Sequence, residues 1–279
     1  MIDRDGATVT THEGISDLIA EQLSPGVKQE GAFPVVEVEG VTELNVAIRQ
    51  SPANTGPGFD EIGYPMIYMW ARKDMPTLRS LVDYGLKHDI EDWHYGEVVL
   101  IPKADKPRYD VVKSWRMIHL LPTIAKVAEC VMLGQIAAEI ELGPTQFRSQ
   151  RRKGCHDMMA MLYEFLEYYK GRERGLMSMD IESWFDKIDS WQLCQLMAAR
   201  GYGPTLCWWV ARWASRRSIK FQFNGRLSRE YNISQGIPQG SPLSPFLFGI
   251  YVVDILSPCL LCSPSVASVV LSYVDDGLL

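Results

Sequence analysis

The sequence lacks the features that mark exported and membrane-spanning proteins. No apolar run reaches the roughly 18 residues that a membrane span requires, and the longest run, residues 246–261, contains Asp254 and Pro258. The first five residues have neither the basic nor the apolar region of a signal peptide. Six cysteines in 279 residues are too few for a disulfide scaffold. These absences argue against secretion and against a membrane partner.

Charge is scarce overall but unevenly distributed. The net charge of −6 is the sum of an acidic part and a basic part. Residues 1–100 hold 17 acidic and 7 basic side chains, whereas residues 101–279 hold 17 acidic and 21 basic ones. The respective net charges are therefore −10 and +4. A nucleic-acid surface is accordingly expected in the second part. With 47% hydrophobic and 22% charged residues, the chain can also bury a substantial core.

Hydrophobic periodicity predicts a mixed α+β protein. Helices are predicted at residues 15–23, 75–87, 122–136, 157–169, 191–200, 204–215 and 243–256, and strands at 97–101, 175–179, 219–223 and 266–274. Asn224-Gly225 is a strong hairpin-turn signal directly after the third strand. We interpret residues 1–40 as an acidic connector and residues 41–279 as the functional domain.

Three segments combine polar chemistry with strand or helix ends. Asp180 ends an apolar strand and begins the run Asp180-Ile-Glu-Ser-Trp-Phe-Asp186; Gln235 to Pro245 opens a helix; and Tyr273-Val-Asp-Asp276 ends the last predicted strand. Carboxylates gathered at strand tips repel each other unless a counter-charge is present, and divalent metal supplies one. An isolated Asp-Asp pair is more often a solvated turn, so the three segments must be considered together.

Together and in this order, the three segments resemble the palm motifs of reverse transcriptases, specifically those of LINE-type (non-LTR) retrotransposons. The run Gly236-Ile-Pro-Gln-Gly-Ser-Pro-Leu-Ser-Pro245 matches the second palm motif almost letter for letter, and Tyr273 to Asp276 has the YVDD form of the third. Further similarity to the family lies at residues 56–62, 98–106, 114–118 and 146–157. The resemblance covers about residues 40–279.

The resemblance implies a right-hand polymerase fold with palm and fingers, and RNA-directed DNA polymerisation by two-metal nucleotidyl transfer. Asp180 and Asp275 would be the catalytic metal ligands, with Asp276 as the supporting acid. The expected cofactor is two Mg²⁺ ions, with Mn²⁺ as an alternative. The expected partners are an RNA template, a DNA primer or target, and deoxynucleoside triphosphates (dNTPs), acting in the nucleus or cytoplasm.

The resemblance also assigns nucleotide-binding residues. Lys103 and Arg116 would contact the triphosphate, and Gln239 and Gly240 would lie beside the incoming nucleotide and the template base. Phe185, five residues after Asp180, would lie under the sugar, where its ring would clash with a 2′-hydroxyl. This position favours DNA synthesis; the alternative is a phenylalanine of the core.

Two stretches depart from the family pattern or stay ambiguous. Met117 follows Arg116 where the family has proline, and residues 146–154 keep a basic character without the family's own sequence. The basic side chains fall in two groups: Arg148, Arg151, Arg152 and Lys153, and Arg212, Arg216, Arg217 and Lys220. The first could grip a phosphate backbone, and the second is either a template or primer contact or a solvated helix face. Cys259 and Cys262 have the spacing of half a zinc site but are interpreted as two core cysteines.

The position of the last motif predicts a fragment. The chain stops three residues after Asp276, so we expect an incomplete palm with an uncovered sheet edge, no thumb, and no polymerisation by the chain alone. Three alternatives remain open: an RNA-dependent RNA polymerase, which Phe185 disfavours; a group II intron-type reverse transcriptase; and a catalytically silent remnant that only binds nucleic acid.

Overall fold

A computed structural model of the chain describes most of the molecule. The described residues are 1–3, 6–23, 44–51, 54–88, 90–139, 142, 146–147, 153–172, 178–180, 184–256, 271–273 and 276–278. Asp275, the basic residues from Arg148 to Arg152, and the Cys259 and Cys262 pair lie outside them. Predictions about those residues stay predictions.

The described residues form a mixed α/β structure. The helices are α1 His12–Leu23, α2 Leu44–Gln50, α3 Tyr64–Lys73, α4 Met75–Lys87, α5 Glu91–His94, α6 Thr123–Glu139, α7 Cys155–Tyr168, α8 Trp184–Lys187, α9 Ser190–Ala199, α10 Pro204–Ser215 and α11 Ser244–Leu256. The strands are β1 Tyr95–Pro102, β2 Trp115–Leu120, β3 Ser178–Asp180, β4 Arg217–Phe223, β5 Arg226–Leu227, β6 Tyr231–Ile233, β7 Leu271–Tyr273 and β8 Asp276–Leu278.

Local signals account for several of these elements, and the corresponding predictions are confirmed. Helix α4 begins after Asp74, whose side chain accepts a hydrogen bond from the Thr77 amide (3.2 Å) and so caps the first turn. Helix α10 begins at Pro204, because proline is well suited to a first helical turn. Asn224 and Gly225 both have positive φ, 50° and 71°, as a two-residue turn between β4 and β5 requires.

Two sheets organise the fold. In the first, β1 lies between β2, to which it is antiparallel, and β4, to which it is parallel; β4 also pairs antiparallel with β5 and with β6. The second has the order β3-β8-β7 and is antiparallel throughout. The short return after the YVDD run, Asp276–Leu278, forms the central strand of this sheet, between β3 and β7.

The main core is helical, and a second cluster joins the first helix to the larger sheet. Buried side chains of α2, α3, α4, α6, α9, α10 and α11 form the main core. Ile15, Ile19 and Leu23 of α1 pack with Val98 and Phe221 of the sheet. This part of the N-terminal segment therefore shares a core with the strands, while the domain boundary near residue 40 stays a prediction. No helix in the described part of the chain is long and apolar enough to cross a membrane.

Candidate active site

Two of the three predicted catalytic acids lie opposite each other in the smaller sheet. Strand β3 ends at Asp180 and strand β8 begins at Asp276, and the two are direct partners in the antiparallel register. Tyr273 of β7 is the partner of Asp276 on its other side. Residues directly opposite in such a ladder have Cβ atoms about 4.5–5.5 Å apart. The fold therefore brings together two positions that are far apart in the sequence.

This pairing has an electrostatic cost that a cation would remove. Like charges directly opposite on a sheet are destabilising, and Asp275 adds a third acidic residue next to Asp276 in the sequence. Carboxylate oxygen is the ligand type that Mg²⁺ and Mn²⁺ prefer. Among the side chains that the structure describes, no group of three or more His, Cys, Asp or Glu residues could hold a metal ion. A divalent metal at the β3–β8 end stays a prediction.

The middle motif packs directly on the segment that follows Asp180. The Gly236 amide donates to the Ile188 carbonyl (2.7 Å), and the Ile237 amide donates to the Phe185 carbonyl (2.6 Å). Gly236 has a φ of +78°, and a Cβ atom there would lie 2.7 Å from the Phe185 carbonyl oxygen. Only glycine allows this approach. We call residues 235–241 the motif loop.

The other side of the motif loop packs on strand β2. The His119 amide donates to the Gln239 carbonyl (2.7 Å). Gly240 has a φ of +138°, and a Cβ atom there would lie 2.3 Å from the His119 carbonyl oxygen, so this position also requires glycine. Gln239 is half-exposed and Gly240 is exposed. The motif loop therefore bridges the segment after Asp180 and the larger sheet, and leaves its two predicted nucleotide-binding residues open to solvent.

Lys103 and Arg116 lie at one end of the β1–β2 hairpin. Arg116 is the register partner of Ile101, and the Lys103 amide donates to the Ser114 carbonyl (2.9 Å). Arg116 is exposed and Lys103 is half-exposed. Both side chains are therefore near solvent on the strand pair that also carries His119.

Asp186 lies at the site, although the sequence analysis predicts no role for it. It follows Phe185 in α8 and is almost completely buried. Burial raises the pKa of its carboxyl to about 6, although Arg217, Lys103, Lys187 and a hydrogen bond with Gln239 favour the charged form. Asp186 is thus electrostatically linked both to the Lys103 end of the hairpin and to the motif loop.

Arg217 also belongs to the interior of the site. Its guanidinium donates to the carbonyls of Gln235 (2.5 Å), Gly236 (2.8 Å) and Ala214 (3.1 Å). Burial lowers its pKa to about 10, and the nearby carboxylates of Asp186 and Glu129 counteract this effect. The interpretation of Arg217 as part of a template-contacting or solvated cluster is therefore wrong, since the side chain is buried and bound to the motif loop.

The other basic residues lie elsewhere. Lys220 forms an ion pair with Glu230 (3.6 Å) and lies over the Tyr95 ring, 5.4 Å from its centroid. Lys153 lies 5.9 Å from the centroid of the Phe147 ring. Contacts of these two lysines with nucleic acid stay predictions.

Phe185 has a position that fits both of its predicted roles. Its ring is half-buried, packs on the main core, and lies 5.4 Å from the Phe248 ring, centroid to centroid. Its carbonyl holds the motif loop through Ile237, as described above. One part of the ring is therefore fixed by packing, whereas the other part is accessible beside the loop that carries Gln239.

Comparison with known proteins now adds to this geometry. Residues 101–279 match the family model described as reverse transcriptase (RNA-dependent DNA polymerase). The chain belongs to the reverse transcriptase family. The family uses divalent metal ions, nucleic-acid templates and dNTPs, in agreement with the acidic β3–β8 end and the adjacent motif loop.

The similar proteins come from transposable elements. The chain is 26% identical, over 85% of its length, to a probable RNA-directed DNA polymerase from transposon X-element of Drosophila melanogaster. It is 24% identical, over 87% of its length, to the RNA-directed DNA polymerase from mobile element jockey of the same organism. Over 67% of its length it is 24% identical to the Pol polyprotein of the type-1 retrotransposable element R2 of Popillia japonica.

These relatives confirm the predicted LINE-type (non-LTR) membership. The chain spans only about a quarter of their lengths, 26%, 27% and 27% respectively.

Proposed function

We propose that this reverse transcriptase domain catalyses RNA-directed DNA polymerisation. The 3′-hydroxyl of a DNA primer would attack the α-phosphate of a dNTP paired with an RNA template, and pyrophosphate would leave. The register pairing of Asp180 with Asp276 is the observation that carries the proposal. Two acidic residues are thus register partners in a chain of this family, and the motif loop is bonded to the segment a few residues after Asp180.

Asp180 and Asp275 would hold the metal ions, and Asp276 would support them. Two Mg²⁺ ions, when bound, would activate the attacking hydroxyl and stabilise the leaving oxygen. Lys103 and Arg116 would bind the triphosphate, while Gln239 and Gly240 would orient the base pair. The chain's own contribution is therefore to align primer, nucleotide and template before any bond changes.

The two sheets fit the parts of a right-hand polymerase. The β3-β8-β7 sheet with its acidic end corresponds to the palm, and the β1–β2 hairpin with its exposed basic end corresponds to the fingers. We extend the proposed domain over residues 41–279. Helix α1 packs on the larger sheet, so residues 12–23 would move together with the fingers.

Replacing the phosphate-binding residues should mainly impair the use of nucleotide. Lys103→Ala and Arg116→Ala should each lower kcat/KM for dNTP by about 10- to 150-fold, because a hydrogen bond to a charged group contributes about 1.5–3 kcal/mol. Steady-state kinetics at varied dNTP concentration measures this effect. Lys113→Ala, on the same hairpin, is the control, and an equal loss in all three variants would contradict the assignment.

Shortening Phe185 should relax the selection of the sugar. Phe185→Val should raise incorporation of ribonucleotides relative to deoxyribonucleotides, because removing the ring opens space for a 2′-hydroxyl while leaving the acidic residues intact. Single-nucleotide kinetics with matched dNTP and rNTP pairs gives the ratio. Phe248→Leu is the control, since it disturbs the packing of the same ring from the core side. An unchanged ratio in Phe185→Val would leave this residue with a packing role only.

The proposed function is tested by primer extension together with nucleotide binding. The 279-residue chain is incubated with an RNA template annealed to a DNA primer, Mg²⁺ and dNTPs, and dNTP binding is followed in parallel by tryptophan fluorescence. Metal-dependent extension, or metal-dependent dNTP binding that Asp275→Ala removes, would support the polymerase. A folded chain that binds nucleic acid but shows neither property would instead support the interpretation as a catalytically silent remnant.

A further inference from the structure

Glu129 of α6 is a buried acid at the back of the motif loop. Its side chain is 4% exposed, and its two carboxylate oxygens accept from different donors. One accepts from the indole Nε1 of Trp213 (2.9 Å) and the other from the hydroxyl of Ser241 (2.6 Å). Burial raises the pKa of this carboxyl to about 7, whereas both hydrogen bonds favour its charged form. Burying a carboxyl group costs free energy, so a buried acid with two specific hydrogen-bond donors calls for a structural or functional explanation.

Ser241 connects Glu129 to the exposed part of the motif loop. It immediately follows Gln239 and Gly240, and its hydroxyl oxygen also accepts from the Leu243 amide (3.0 Å) at the approach to α11. The Ser244 hydroxyl donates to the Pro238 carbonyl (2.8 Å) and closes the same turn. The downstream end of the loop is therefore fixed by side chains, in addition to the backbone contact with β2.

An acid suits this position better than its amide. Trp213 Nε1 can only donate, and the Ser241 hydroxyl already accepts from the Leu243 amide, so it is free to donate to Glu129. A carboxylate offers an acceptor to each of these donors, whereas a glutamine would present its NH₂ group to one of them. A glutamine would turn its oxygen to Trp213 and could donate to the second lone pair of the Ser241 hydroxyl, so only an apolar side chain at this position breaks the link to Ser241.

Helix α6 also contacts a different loop, the one that contains Gly56. One turn before Glu129, the Lys126 ammonium donates to the Gly56 carbonyl (2.7 Å). At the upstream end of the motif loop, Arg217 binds the carbonyls of Gln235 and Gly236. Buried ionic side chains from α6 and β4 thus hold the loop at its two ends, while Gln239 and Gly240 between them reach solvent.

We propose that Glu129 is a positioning residue for nucleotide binding, holding Ser241 so that Gln239 and Gly240 keep one fixed orientation toward the incoming nucleotide. The proposal rests on the proposed function for the identity of the ligand. Glu129 itself is buried behind the loop and would act only through Ser241.

Three substitutions separate positioning from mere stability. Ser241→Ala and Glu129→Leu both break the link to the motif loop, whereas Trp213→Phe removes the other donor to Glu129 and leaves that link intact. All three should lower the thermal stability. Only the first two should weaken dNTP binding or raise the KM for dNTP, by about tenfold, with kcat changed by about twofold or less. The double variant Glu129→Leu/Ser241→Ala should bind dNTP no more weakly than Ser241→Ala, because the two residues act in series.

Hydrogen exchange supplies a measurement that needs no activity. Backbone amides at residues 236–243 should lose protection in Ser241→Ala and Glu129→Leu but keep it in Trp213→Phe. The proposal would be overturned if the amides of residues 236–243 were equally protected in all three variants. It would also be overturned if Trp213→Phe raised the KM for dNTP as much as the other two variants do. If the unmodified chain neither extends a primer nor binds dNTP, the polymerase assignment fails. The exchange data then still decide whether Glu129 positions the loop.

Discussion

In a form of the domain that extends primers, Asp180→Asn and Asp275→Ala should each lower nucleotide incorporation by at least ~10³-fold, the largest effect expected on activity. A bound metal ion contributes several kcal/mol to stabilising transition-state charge, and each 1.36 kcal/mol corresponds to a tenfold change in rate. Asp180→Asn leaves the backbone pairing of β3 with β8 intact and removes one negative charge opposite Asp276. The loss should therefore arise from metal binding, without unfolding.

A second measurement makes this test independent of turnover. Titration with Mn²⁺, followed by electron paramagnetic resonance, should show weaker binding in both variants. Asp189→Asn is the matched control, because it makes the same chemical change at the N-cap of α9, where asparagine caps about as well as aspartate. Unchanged Mn²⁺ affinity and incorporation in Asp180→Asn would contradict the metal assignment.

Elements with strong local signals could be predicted from the sequence. Helix α4 has the bounds that the sequence predicts, because its apolar residues recur at helical spacing; the structure adds that Asp74 caps its first turn. Helix α10 and the Asn224-Gly225 turn were likewise confirmed, since proline and glycine determine the backbone there. Such features depend on neighbouring residues only.

The buried polar residues of the site could not be predicted in the same way. Arg217 stands in a basic run that resembles a solvated helix face, and only the fold reveals that it binds carbonyls 18 and 19 residues further along. Glu129 lies in an apolar helical pattern, and its partner Ser241 is 112 residues away. The fixed glycines Gly236 and Gly240 are the one local signal that something packs tightly behind the motif loop.

Arg217→Met should cause the largest loss of stability, about 3–5 kcal/mol in the free energy of unfolding. The substitution keeps an apolar stem but leaves the carbonyls of Gln235, Gly236 and Ala214 without their donor. It also removes a cation that favours the charged form of the buried Asp186. Breaking a buried ionic interaction by removing one partner is typically this costly. Urea titration of the variant and the unmodified chain measures the difference.

The pH dependence of the stability loss in Arg217→Met identifies the electrostatic part of that loss. The pKa of Asp186 is about 6 in the folded chain, above its ordinary value of 3.8. Between these values the folded state binds more protons than the unfolded state, so this group's contribution to stability falls as the pH rises through about 6. Without Arg217 the pKa should rise further, and the variant should be more destabilised at pH 8 than at pH 5. Asp186→Asn in the Arg217→Met background should reduce this difference, because the amide cannot ionise; Glu129, the other carboxylate near Arg217, accounts for the remainder. If the double variant retains the whole pH-dependent difference, Asp186 and Arg217 are not electrostatically coupled, and the pH dependence then comes from Glu129.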